Sequence, residues 1–96
     1  MYVLVTYDVE SSSPDGAKRL RRVAKICVEN GQRVQYSVFE CSLDPAQFEI
    51  MKHRLIKEID REKDSLRFYN LGKTWRNRVQ HIGAHESYDP EGILLI

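Results

Sequence analysis

The predicted fold class is α+β, with an antiparallel sheet and two helices packed on one of its faces. Three observations predict it: an apolar strand at the N-terminus, two helix-start signals, and β-rich segments between and after the helices. In chain order these elements give β-α-β-β-α-β, followed by one extra C-terminal strand. This order is the ferredoxin-like plan, which serves many unrelated functions. The fold class alone therefore assigns no activity.

The first ten residues, MYVLVTYDVE, predict a strand that ends in a phenol and a carboxylate. Tyr2 to Thr6 are apolar or β-branched, as in a strand covered on both faces. Tyr7 and Asp8 follow at the carboxyl end of this strand, at the surface where loops and chain ends lie. From the pattern alone, Asp8 is either a turn cap or a metal ligand, and a turn cap is the commoner case.

Two segments carry the local signals that begin a helix. Ser13-Pro14 supplies a serine cap and a proline at the first helical position, which predicts a helix from about Pro14 to Asn30. We expect Gly31 to end this helix in the left-handed C-cap conformation. A second helix start with a capping box consists of Asp44, Pro45 and Gln47.

The remaining segments predict strands and a long extension. Residues 32–42 are rich in β-forming residues, and their alternation slips at Phe39, which predicts two short strands with a tight turn near Tyr36-Ser37. Residues 66–71 predict another strand. Residues 73–92 have no sustained period, and the apolar residues 93–96 should pair as a strand. The chain is thus divided into a domain over 1–72 and an extension over 73–96.

The composition is that of an ordinary globular domain. The 96 residues are 42% hydrophobic and 30% charged, and no apolar run approaches the ~20 residues of a membrane span. Acidic residues interrupt the N-terminus, so no signal peptide is expected and the predicted location is the cytoplasm. Cys27 and Cys41 fall at apolar positions and are interpreted as reduced core residues.

A formal net charge of +1 conceals an uneven distribution of basic residues. Residues 18–25 and 65–85 contain several lysines and arginines and no acid. Such local patches can suit a nucleic-acid backbone, although a solvated helix face is the commoner explanation of any one of them.

Other kinds of site are weakly supported. His81 and His85, with Glu86 beside the second, have the spacing of zinc ligands on a helix, but Gly83 lies between them and no helix is evident there. The five glycines are scattered, so there is no glycine-rich phosphate loop. Trp75 could stack on a base, but packing is the commoner role of a lone tryptophan.

Several pieces taken in order resemble a known family. They are Tyr7-Asp8, Arg22 in the first helix, and the run from Arg33 to Glu40, RVQYSVFE. Together they resemble the small CRISPR-associated nuclease family, the second of the two core proteins of spacer acquisition. The run from Glu40 to Gln47, ECSLDPAQ, is similar to the I-C subtype of those systems.

This resemblance implies a ferredoxin-like homodimer in which the last strand of each chain completes its partner's sheet. Asp8 of both chains would hold one Mg²⁺, or another divalent cation such as Mn²⁺, for hydrolysis of phosphodiester bonds in double-stranded DNA or RNA. The implied partners are nucleic acid and the larger CRISPR integrase protein, with no membrane. Tyr7 and Ser37 would orient a phosphate or water beside Asp8. The expected phosphate-binding residues are Lys18, Arg22, Arg33, Arg76 and Arg78.

Two other functions remain open at this point. One is a non-catalytic scaffold that binds duplex DNA and bridges integrase subunits. The other is a toxin-like RNA nuclease that shares the ferredoxin plan. Cleavage by purified protein separates the enzymes from the scaffold, and matched RNA and DNA substrates separate the two nucleases.

Overall fold

The computed structural model describes residues 1–9 and 13–83. Within them the predicted order β-α-β-β-α-β is confirmed. The predicted strand over 93–96 lies outside the described residues. The elements are β1 (Tyr2–Asp8), α1 (Pro14–Asn30), β2 (Gly31–Gln35), β3 (Val38–Ser42), α2 (Pro45–Glu58), β4 (Ser65–Asn70) and a 3₁₀ helix (Trp75–Asn77).

The four strands form one antiparallel sheet in the order β2-β3-β1-β4, with β1 paired on both sides. Val5 lies opposite Phe39 of β3 and Phe68 of β4. This order and direction are those of the ferredoxin-like fold, as predicted. β1 is thus a central strand, although its last residue, Asp8, pairs with β4 alone, because the register with β3 ends at Thr6.

The two faces of the sheet differ in what covers them. Successive side chains of a strand point to opposite faces, and the buried side chains of β1 pack with both helices. The main core residues are Val3, Val5, Tyr7, Leu20, Val23, Cys27, Phe39, Cys41, Met51 and Leu55. Both cysteines are fully buried, which confirms their predicted place in the core. We call the face with the helices the core face and the other the open face.

Both helices begin as the sequence predicts. The Ser13 hydroxyl accepts a hydrogen bond from the Gly16 N–H at 3.1 Å, which caps α1. At α2, the Asp44 carboxylate accepts from the Gln47 N–H at 2.7 Å, and the Gln47 side chain accepts from the Asp44 N–H at 2.9 Å. These two bonds are the predicted capping box. In the part of the chain that the structure describes, no helix has the length and apolar character to cross a membrane.

Gly31 is needed for a different reason from the one predicted. Its φ of −178° is extended backbone, so the predicted left-handed conformation was wrong. A Cβ at this position would lie 2.0 Å from the carbonyl oxygen of Glu40 on β3. The close approach of β2 to β3 therefore requires glycine here. Gly72, which follows β4, does adopt a positive φ of +74°.

The turn predicted near Tyr36-Ser37 is confirmed, since it separates β2 from β3. The register between these strands shifts between Arg33 and Gln35, so one residue of β2 is unpaired. The slip in alternation at Phe39 falls beyond this irregularity, after the turn and where β3 begins.

Candidate functional site

Asp8 is exposed at the carboxyl end of β1. Its cross-strand partner in the sheet is Ser65, the first residue of β4. Because side chains alternate along β1, Asp8 projects to the open face together with Thr6 and Leu4. The Asp8 carboxylate is therefore exposed to solvent, while the Asp8 backbone is paired to β4.

Tyr7 precedes Asp8 but projects to the core face. It is 1% exposed, and its hydroxyl donates a hydrogen bond to Oδ2 of Asp64 at 2.6 Å. Burial raises the pKa of Tyr7, and the neighbouring Asp64 carboxylate raises it further. The phenol is thus neutral and engaged within the core. The structure does not bring the Tyr7 hydroxyl and the Asp8 carboxylate to the same face.

Asp64 lies on the core face of the sheet, at the end of β1, and accepts several hydrogen bonds there. Its side chain is fully buried and accepts from Arg19 Nε at 2.7 Å, from Arg19 Nη2 at 3.2 Å and from the Asp60 N–H at 3.0 Å, as well as from Tyr7. Burial alone would raise the pKa of Asp64, but the hydrogen bonds from Arg19, Tyr7 and Asp60 outweigh it and lower this pKa. The charged carboxylate is therefore fully satisfied.

Sequence reasoning missed both members of this buried ion pair. Arg19 looks like one more residue of the basic run on α1, and Asp64 ends the charged run that precedes β4. The one available signal is that Asp64 directly precedes a strand whose pairing partner is β1. A contact between residues 45 positions apart leaves no local periodicity to detect.

Ser37 lies at the same end of the sheet as Asp8. It sits in the turn between β2 and β3 and is half-buried. Its carbonyl oxygen accepts a hydrogen bond from the Tyr7 N–H at 2.9 Å. This bond places the Ser37 backbone beside the residue that precedes Asp8.

Two of the predicted phosphate-binding residues share the solvent side of α1. Lys18 and Arg22 line a shallow surface groove with two further basic residues, Arg21 and Lys25. Arg22 Nη1 lies 4.0 Å from Oε2 of Glu58, and the Arg22 side chain is 64% exposed. An exposed pair at this distance leaves the guanidinium available to other anions.

The other predicted phosphate-binding residues lie elsewhere. The Arg33 guanidinium lies 5.4 Å from the ring centroids of both Tyr36 and Phe39, on the edge strand β2. Arg76 lies over the ring of Trp75 at 4.5 Å, and Arg78 follows in the same turn.

Trp75 fixes the position of Arg76 and Arg78 relative to the sheet. Its ring stacks on that of Tyr2 at 3.8 Å, with an interplanar angle of 5°, so the predicted packing role is confirmed. Tyr2 and Asp8 are at opposite ends of β1, about 20 Å apart for a strand of this length. The basic residues are therefore spread over the molecule.

Among the described residues, the donors of one chain are too few for a metal centre. No three side chains of His, Cys, Asp or Glu are grouped to hold a metal ion within residues 1–9 and 13–83. His85 and Glu86 lie outside those ranges. Mg²⁺ takes oxygen ligands and commonly uses only one or two carboxylates with several waters. The exposed Asp8 carboxylate fits such a site when a second copy of the chain supplies its own.

A comparison with protein-family models gives one match that covers most of the chain. The model of the CRISPR associated protein Cas2 matches residues 1–79. The chain belongs to the Cas2 family. The family resemblance expected from Tyr7-Asp8 and the run after Arg33 is thereby confirmed, and so is the fold that it implied.

Curated Cas2 relatives match along the full chain. The CRISPR-associated endoribonuclease Cas2 of Nitratidesulfovibrio vulgaris is 60% identical over 96 residues, which are 100% of this chain and 94% of the relative. The CRISPR-associated endonuclease Cas2 of Halalkalibacterium halodurans is 55% identical over 95 residues, which are 99% of each chain. The first name specifies RNA, whereas the second specifies no nucleic acid.

Solved Cas2 structures share the fold. The crystal structure of Streptococcus pyogenes Cas2 at pH 6.5 has a TM-score of 0.81 and 61% identity, covering 86% of this chain and 100% of that one. A chain of a partial Cas6-RT-Cas1–Cas2 complex has a TM-score of 0.59 and 30% identity, covering 84% and 89%.

Proposed function

We propose that this Cas2-family chain is a metal-dependent endonuclease of CRISPR adaptation that hydrolyses phosphodiester bonds of RNA or double-stranded DNA. The observation that carries the proposal is Asp8, an exposed carboxylate at the paired end of a central strand. The names of the relatives, endoribonuclease and endonuclease, support the reaction class. The expected location of this activity is the cytoplasm.

The proposed site needs a homodimer. A twofold interface uses the same patch on both chains, so it can supply two copies of Asp8 to one ion. Two carboxylates and several waters suit Mg²⁺ or Mn²⁺. In this proposal the strand over 93–96 joins the partner's sheet and stabilises the pairing. That strand, and residues 84–96 of the extension over 73–96, lie outside the described residues.

Each residue has a distinct role in the proposed reaction. When bound, the divalent cation supplies Lewis acidity toward water and the phosphodiester. Asp8 of both chains holds it, and Ser37 orients a phosphate or water at the same end of the sheet. Arginines donate bidentate hydrogen bonds to phosphate oxygens, which suits Arg22 and Arg33. The remaining proposed backbone contacts are Lys18, Arg76 and Arg78.

A second candidate is a non-catalytic scaffold that binds duplex DNA and bridges subunits of the larger CRISPR integrase. One observation favours it: the basic residues are spread over the Tyr2 end of β1, the edge strand β2 and the outside of α1, which suits a long backbone track more than one cleavage point. The similarity to a chain of a Cas1–Cas2 complex supports the same partner.

Cleavage by purified protein tests the proposed function. Wild type and Asp8→Asn are compared on matched RNA and DNA duplexes, with and without Mg²⁺. Asp44→Asn is the matched control, because Asp44 is also exposed and asparagine keeps its helix cap. We expect Mg²⁺-dependent cleavage by wild type and the control only. Equal cleavage by folded Asp8→Asn would contradict the metal site, and no cleavage by wild type would favour the scaffold.

A further inference from the structure

The segment Tyr7-Asp8 at the end of β1 is held from three directions. On the sheet, Asp8 pairs with Ser65 of β4. From the hairpin turn, the Ser37 carbonyl accepts from the Tyr7 N–H at 2.9 Å. On the core face, the Tyr7 hydroxyl donates a hydrogen bond to Asp64, the residue that precedes Ser65. The last of these connects the two strands that carry Asp8 and its partner.

Several contacts fix the position of Asp64, so it can hold the Tyr7 side chain in place. Arg19 fixes it to α1 through two hydrogen bonds, and the Asp60 N–H fixes it to the segment after α2. Its side chain is 0% exposed and that of Arg19 is 13% exposed, so water competes little for these bonds. Charge-assisted hydrogen bonds in such surroundings are strong and short.

We infer that Asp64, through Tyr7, is a positioning residue that fixes Asp8 for binding a divalent cation. This inference rests on the proposed function. The Tyr7 ring points to the core face and Asp8 to the open face, so the bond below the sheet restrains the backbone from which the Asp8 carboxylate projects. The assignment gives Tyr7 a role distinct from the contact with phosphate or water expected from the sequence.

Metal binding at a site shared by two chains should depend on how firmly the backbone holds each Asp8. Ends of strands fray more readily than their centres, and Asp8 is the last residue of β1. Mg²⁺ demands near-ideal octahedral geometry, so two carboxylates from different chains must each be held in place. Groups that hydrogen-bond directly to metal ligands commonly change the metal affinity by about 10–100-fold when they are removed. Asp64 acts one step further away, through Tyr7 and the backbone, so we expect an effect at the lower end of that range.

The experiment compares two Tyr→Phe variants of the full chain. Tyr7→Phe keeps the buried ring and removes the bond to Asp64. Tyr2→Phe is the matched control, since Tyr2 is also fully buried and its hydroxyl donates to Glu40 at 2.5 Å from the other end of the same strand. Binding of Mn²⁺ is measured by the electron paramagnetic resonance signal of the free ion. Amide hydrogen exchange at Asp8 is measured without metal.

We expect Tyr7→Phe to weaken Mn²⁺ binding about tenfold, the lower end of the range for such partners, and to speed amide exchange at Asp8. Tyr2→Phe should leave both unchanged, even where its melting temperature falls by a similar amount. Wild-type Mn²⁺ affinity in Tyr7→Phe would overturn the inference, whatever the loss of stability, because a merely structural bond predicts that result.

Asp8→Asn distinguishes failure of the inference from failure of the proposed function. If Asp8→Asn loses Mn²⁺ binding and Tyr7→Phe does not, the metal site stands and Asp64 does not position it. If Asp8→Asn binds Mn²⁺ like wild type, the proposed metal site fails and the inference falls with it.

Discussion

Arg19 donates two hydrogen bonds to Asp64, from Nε to Oδ2 at 2.7 Å and from Nη2 to Oδ1 at 3.2 Å. This pair joins α1 to the residue before β4, beneath the end of β1. It lies at the boundary between the core and the candidate site. Its effect on folding can therefore be measured separately from any effect on metal or nucleic acid.

Acid should weaken the fold through Asp64. Its pKa in the folded chain lies below its usual value, so its contribution to stability is present above the unfolded pKa of about 3.9 and is lost as pH falls through the folded pKa. Urea unfolding of wild type and Asp64→Asn should give a difference in unfolding free energy that is largest near neutral pH and shrinks below about pH 4.

Glu29→Gln is the control for this titration. Arg54 lies 2.8 Å from Glu29 and lowers its pKa by a hydrogen bond, but both side chains are close to half exposed. Solvent screening should make the effect of Glu29→Gln small at every pH. A difference between wild type and Asp64→Asn that stays constant from neutral pH to acid would contradict the proposed ionic role of Asp64.

Two glycines should respond differently to alanine. Gly31→Ala places a Cβ against the backbone of β3, which we expect to cost ~3 kcal/mol of unfolding free energy because backbone atoms, unlike the end of a flexible side chain, cannot move aside cheaply. Gly72→Ala has open space around it and only the left-handed backbone to accommodate, at about 1–2 kcal/mol. Denaturant unfolding measures both. Equal losses would show that close approach of β2 to β3 is not what requires Gly31.

The basic face of α1 should bind nucleic acid through phosphates. Lys18→Gln with Arg22→Gln should weaken binding about equally for unrelated sequences and reduce the slope of log K against log salt by up to ~0.9 per lost contact. The control is Arg54→Gln, which removes an exposed arginine of α2 that is engaged by Glu29. Fluorescence anisotropy over a salt series measures the slopes. An unchanged slope in the double variant would exclude α1 from the interface.

Local signals were sufficient for most of the fold. The cap at Ser13, the capping box at Asp44 and the slip in alternation at Phe39 each act over a few residues, and the structure confirms all three. Gly31 shows the limit of such reasoning. A glycine after a helix suggests a left-handed cap, whereas the distance to Glu40 that requires it appears only once the strands are paired.

The candidate site was predictable only in part. Tyr7 and Asp8 are adjacent in sequence, so both were expected to act in one site, but strand alternation sends them to opposite faces. The Asp64 anchor depends on contacts over long sequence separations, which no local pattern encodes. Each basic residue is visible in the sequence, but their spread over α1, the edge strand β2 and the Tyr2 end of β1 follows from the topology.

The central claim, that Asp8 of both chains holds one metal ion, is tested most directly by mixed dimers. Wild-type and Asp8→Asn chains are combined in equal amounts, unfolded and refolded so that chains redistribute, and Mg²⁺-dependent cleavage is measured against wild type at the same total concentration. A control mixture with Asp44→Asn should keep full activity. If both carboxylates are required, only dimers of two wild-type chains cleave, and activity falls to about one quarter. Activity of about one half would mean that each chain acts with its own Asp8, and would contradict the shared site.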